Sequence, residues 1–107
     1  MPWSDMHNRK DLQLCRQVFD ALTYALAELD DPIVDELILA HVLPAPSASR
    51  VQVTLVPSRD DIDNDVALDR VREYADELRE EVAAEVTRRR VPELVFRVVR
   101  RDPMQPQ

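Results

Sequence analysis

Arg88-Arg89-Arg90-Val91-Pro92-Glu93-Leu94-Val95-Phe96 joins two hydrophobic periods, and its reading decides the fold. Upstream, Val71, Ala75, Leu78, Val82 and Val86 recur at helical spacing down one face. Downstream, Leu94, Phe96 and Val98 alternate with Val95, Arg97 and Val99, as a strand requires. The three arginines fall where the unpaired carbonyls of a helix end favour cations, by about 0.3–1 kcal/mol each, and Pro92 blocks helical continuation. A helix therefore passes directly into a last strand, here placed at Leu94 to Val99.

The helix ahead of this passage is predicted from about Asp65 to Arg89. At about 1.5 Å per residue it would be roughly 37 Å long, whereas a compact domain of this size has a radius of gyration near ~13 Å and a body about 33 Å across. Such a helix bends or splits between Asp69 and Asp76, or its end overhangs. Further upstream, Leu12, Cys15, Phe19, Leu22, Leu26 and Leu29 give a first helix from Asp11 to Leu29, ended by Asp30-Asp31-Pro32. Between the helices, the apolar run Glu36 to Leu43 and the alternating run Arg50 to Val56 flank Pro44-Ala45-Pro46-Ser47, which predicts an antiparallel hairpin. The last strand, arriving after a helix, needs a crossover. The fold class is α+β: helix, strand, strand, helix, strand, with the helices on one face of a three-stranded sheet. The expected division is an N-terminal arm over residues 1–8, one domain over 9–99 and a C-terminal tail over 100–107.

The 107 residues suffice for one two-layer core. The start is polar and no apolar run approaches the roughly 20 residues of a membrane span, so a cytoplasmic protein without membrane contact is expected. A lone cysteine, Cys15, excludes an internal disulfide and a multi-cysteine metal site. The net charge of −7 is unevenly placed. Residues 1–66 carry 12 acids against 5 bases, whereas residues 86–107 carry 6 arginines against Glu93 and Asp102. Any anionic partner is therefore sought at Arg88, Arg89, Arg90, Arg97, Arg100 and Arg101. The competing reading is that these arginines simply solubilise a helix end and a strand.

No catalytic constellation emerges. The chain has no glycine, which removes the phosphate-cradling loop, the dinucleotide fingerprint and the nucleophile elbow as these are usually built. Asp61, Asp63 and Asp65 begin like a calcium loop, but its sixth position is Val66 and its twelfth Arg72. These aspartates read instead as helix-capping residues. Neither His7 nor His41 has a partner at ligand spacing, and Cys15 lies on the apolar stripe of the first helix. No metal, no cofactor and no enzymatic activity are expected. The aromatic residues are scattered, so RNA contact would read backbone and shape rather than bases.

The chain resembles ribosome-binding factor A, a bacterial small-subunit assembly factor. The residues that carry the resemblance are Leu78-Arg79 and then Arg89-Arg90-Val91-Pro92-Glu93-Leu94-Val95-Phe96, with Asp31-Pro32 at the end of the first helix and the spacing of the two central strands. It covers roughly residues 9 to 99. The resemblance implies a KH-like fold of the second type and a non-catalytic role on the small ribosomal subunit and its RNA, with Arg79 joining the arginines above; a monomer is expected. The family kinks its helix pair at Ala-x-Gly. The aligned residues here are Tyr74-Ala75-Asp76, so the glycine is Asp76, and the family's Asp-Leu in the hairpin is replaced by Pro44-Ala45-Pro46. The rival reading is a KH-like protein-interaction or dimerisation module that has lost RNA binding.

Overall fold

The computed structural model describes residues 2–45, 50–86 and 91–100, with side chains from residue 12 onward. Apolar periodicity sets the element order: helix α1 (Pro2–Glu28), a single 3-10 turn (Val34–Glu36), strands β1 (Leu37–Pro44) and β2 (Arg50–Pro57), helices α2 (Asn64–Glu73) and α3 (Ala75–Glu85), and strand β3 (Glu93–Val98). The sheet order is β1-β2-β3. β1 and β2 form the expected antiparallel hairpin, and β3 returns parallel to β2 after the helical crossover. This is the α+β, KH-like arrangement read from the sequence.

Strand β2 is central, and Val51, Val53 and Leu55 on its helix-facing side are buried. Val51, Val53 and Leu55 point into the helix layer, where they meet Val18 and Leu22 of α1, Val71 of α2, Leu78 and Val82 of α3, and Phe96 of β3. Thr54 points to the other face and is also buried; its Oγ1 makes no hydrogen bond among the described residues. In β1, Leu39 pairs with Leu55 and His41 with Thr54, so Ala40 is an extra residue in the ladder. Such a bulge blunts an edge strand against stray pairing.

Two boundaries differ from the sequence reading. Helix α1 begins at Pro2 rather than Asp11. Proline suits a first helical turn, where its missing N–H would be unpaired anyway, and no glycine or further proline interrupts the chain before Pro32. At about 1.5 Å per residue its 27 residues span ~40 Å, close to the molecule's longest dimension of 41 Å. The second helix is split in two at Tyr74, inside the expected interval Asp69 to Asp76, and it ends at Glu85, with Val86 already extended, rather than at Arg89, so no arginine lies in its last turn. The acidic run before it acts as read: Asp63 caps α2, its Oδ1 accepting from the N–H groups of Asp65 at 2.8 Å and Val66 at 3.1 Å. Among the described residues no helix is long and apolar enough to cross a membrane, and no cluster of side chains is arranged to hold a metal.

Helix α1 ends through Asp30, which has φ 54°. A helix usually exits through glycine at this point, because any Cβ in the left-handed region costs energy, and aspartate is among the few residues that tolerate it. Replacing Asp30 by glycine is expected to raise unfolding stability by about 0.5–1 kcal/mol, read from urea denaturation. Leu78→Ala, at a fully buried position, is expected to cost about 2–5 kcal/mol in the same assay.

Candidate nucleic-acid interface

The break between α2 and α3 is built on one residue, Tyr74. Its backbone lies at φ −99°, ψ 8°, the bridge region open to any L-residue. Its N–H closes α2 by donating to the carbonyl of Val71 at 3.0 Å, and its carbonyl opens α3 by accepting from the N–H of Leu78 at 2.9 Å. Glycine is therefore not required at this kink. Asp76, the residue in the family's glycine position, lies in the first turn of α3, where a carboxylate matches the positive end of the helix dipole.

The tyrosine side chain fixes where the break falls. Tyr74 donates its phenolic O–H to Asp31 Oδ2 at 2.6 Å. Asp31, only 6 % exposed, accepts at its other oxygen from the N–H groups of Ile33 at 2.9 Å and Val34 at 3.1 Å, and Arg70 Nε stands 3.7 Å from Oδ2. Burial works against the Asp31 charge. The hydrogen bonds from Tyr74, Val34 and Ile33, with Arg70 behind them, outweigh it and hold the carboxyl below its ordinary value of 3.8. The same bond to Asp31, aided by burial and by the Asp31 charge, raises the Tyr74 phenol above its ordinary value of 10.0. Sequence spacing signals neither Arg70 nor the pairing of Asp31 with Tyr74: the partners lie 43 residues apart, and only the folded chain brings them together.

The candidate arginines fall on different layers. Arg79 is exposed on α3 and Arg97 on β3, and Arg100 is exposed just beyond that strand. The remaining candidates, Arg88, Arg89, Arg90 and Arg101, lie outside the described residues. Two shallow clefts of about 210 and 220 Å³ run between α1 and α3, the first lined by Asp20, Tyr24 and Glu85, the second by Glu28, Glu77, Glu80 and Glu81. Arg79 is two residues from Glu81, hence about 200° around the helix axis, and stands on the flank turned away from α1. Because α1 covers β1, that flank faces the β3 side of the domain. Arg97 pairs in register with Thr54, so it projects from the sheet face opposite the helices. Arg79 and Arg97 thus border the β3 edge from two sides, and the groove between the long helices is acidic.

The Asp31–Tyr74 bond gives a two-sided pH signature. A depressed carboxyl contributes stability that is complete above its unfolded value of 3.8 and lost as pH falls through the lower folded value. A raised phenol contributes stability that is complete below 10.0 and lost as pH rises through the higher folded value. Tyr74→Phe is therefore expected to lower the melting temperature across the neutral range. The gap to wild type should narrow in acid below about pH 4, and again in alkali above pH 10, in a thermal-melt series. A gap that does not change with pH would show the bond to be energetically idle.

No protein-family model matches the chain, and no curated protein sequence matches it. Solved structures do. The crystal structure of ribosome-binding factor A from Thermus thermophilus superposes with a TM-score of 0.68 at 26% identity, covering 79% of this chain and 91% of that one. The solution structure of a Thermotoga maritima protein, provisionally described as a ribosome binding factor A, gives a TM-score of 0.69 at 17% identity, covering 79% and 82%. The likeness read from the helix-to-strand passage, Asp31-Pro32 and the strand spacing is matched in structure over 79% of the chain, and the chain is ribosome-binding factor A-like.

Proposed function

We propose that this chain is a ribosome-binding factor that docks on small-subunit ribosomal RNA during subunit maturation and carries out no chemistry itself. The observation that carries the reading is the superposition on ribosome-binding factor A over 91% of that protein's length. The charge distribution supports a particular docking side. RNA phosphates are repelled by the α1/α3 groove with its Glu28, Glu77, Glu80 and Glu81. They are attracted to the β3 edge, which Arg79 and Arg97 border and which Arg100 extends. In this reading Arg88, Arg89, Arg90 and Arg101 also contact RNA phosphates. The kink at Tyr74-Ala75-Asp76 serves to set the angle of α3, and so the position of Arg79. The protein acts as a monomer in the cytoplasm.

Few RNA phosphates are needed for a workable interface, because each one neutralised steepens the salt dependence by about 0.7–0.9 in the slope of log K against log salt. In filter binding with small-subunit RNA fragments, affinity is expected to fall steadily with salt. Changing Arg88, Arg89 and Arg90 together to alanine should flatten the slope by roughly 3, because each lost phosphate contact removes about one unit. Arg79→Glu should weaken binding uniformly across RNA sequences. Absence of affinity at low salt, with the protein folded, would sink the reading in favour of a KH-like protein-interaction or dimerisation module.

A further inference from the structure

The face of the sheet turned away from the helices carries an apolar surface with a polar centre. Ile38 is 51% exposed, Leu43 44% and Val95 37%. Ile38 sits opposite Val56 at one end of the face, while Leu43 and Val95 both neighbour Gln52 at the other. Between them, His41, Thr54 and Arg97 form one row across the three strands. Thr54 is 3% exposed and its Oγ1 makes no hydrogen bond among the described residues. The row thus has a buried hydroxyl at its centre, flanked by a histidine on one side and an arginine on the other.

Charge and size select what covers it. The carboxylate of Glu93 on this face is already engaged, 3.5 Å from Arg50 Nε, whereas Arg97 has no ion pair among the described residues. The face therefore offers an available cation in a chain of net charge −7. Three strands of 8, 8 and 6 residues, about 4.8 Å apart, give about 350 Å². A stable dimer buries about 800 Å² per partner, so a second copy is too large an occupant, whereas a single helix about 10 Å across fits. The exposed aliphatic side chains Ile38, Leu43 and Val95 match an apolar helix stripe rather than RNA phosphates.

We propose that the open sheet face docks an acidic amphipathic helix of a partner protein. Its aliphatic side chains cover Ile38, Leu43 and Val95, and its carboxylate pairs with Arg97 above the Thr54 hydroxyl. This surface is separate from the acidic α1/α3 groove, does not rest on the ribosomal reading, and shares with the proposed RNA edge the single residue Arg97.

The test uses the full chain carrying a benzophenone amino acid at Ile38 or Val95, with Tyr24 on α1 as the control position, irradiated in cells of its own organism. Both sheet positions are expected to join the same segment of another protein, one with aliphatic residues at helical spacing and a carboxylate among them, and Tyr24 is not. That segment, as a synthetic peptide, should bind the unmodified chain and lose at least tenfold in affinity with Ile38→Glu or Val95→Glu. Val95→Ala, which changes no charge, should show a smaller loss in the same direction. Products joined to RNA, to a second copy or to this chain's own termini overturn the proposal, as do a segment without that chemistry and the absence of any product. The same variants separate this proposal from the ribosomal one. Ile38→Glu, on the opposite edge strand, should leave the salt-dependent RNA affinity unchanged, and peptide binding without any RNA affinity would remove only the ribosomal reading.

Discussion

The carboxylate of Asp31 organises the arrangement around the helix break, adding directional bonds between three elements that already share the hydrophobic core. It caps the 3-10 turn leading into β1 through Ile33 and Val34, receives the Tyr74 hydroxyl at the break between α2 and α3, and stands near Arg70 on α2. A buried carboxylate is costly unless its lone pairs are used. Here both oxygens are occupied, so the charge that opposes burial becomes the reason the surrounding groups take fixed positions. Apolar packing of Val71, Leu78 and Val82 on the sheet would tolerate a break one residue earlier or later. The hydrogen bond from Tyr74 does not.

The same bond explains how a chain without glycine makes turns for which glycine is the usual choice. At the exit of α1 the left-handed conformation is taken by Asp30, whose short polar side chain lowers the penalty. At the kink, no left-handed residue is needed at all, because the break falls in the bridge region at Tyr74. Asp76, where the resemblance implies a glycine, therefore does not prevent the kink, which is accompanied here by a side-chain contact.

How much of this was legible follows from the range of each interaction. Helical and strand periods are local, so the order of elements, the hairpin and the need for a break in the second helix could be read from Val71 to Val86 and from Arg50 to Val56. The start of α1 could not, because the polar residues after Pro2 carry no apolar period, although nothing in them stops a helix. The position of the break could not, because Asp31 and Tyr74 are far apart in sequence. Nor could the separation of Arg79 from Arg97. Arg79, drawn in by the resemblance, and Arg97, in the basic stretch, are 18 residues apart in sequence, and helical phase turns one to the flank of α3 while strand alternation turns the other to the open face.

That separation changes the meaning of the net charge. At physiological ionic strength exposed charges are screened over about 8 Å, whereas the molecule's shortest dimension is 18 Å. The carboxylates of the α1/α3 groove therefore do little to the field on the open sheet face, and a total of −7 describes neither surface. What matters locally is whether a charge is already paired. Arg50 and Arg70 are engaged with Glu93, Asp31 and Glu73, whereas Arg79 and Arg97 have no ion pair among the described residues. Both border the β3 edge, one from each layer. An anionic partner gripping that edge from the helix side and one lying across the sheet would meet only at Arg97, so the two surfaces can be occupied independently everywhere except at that residue.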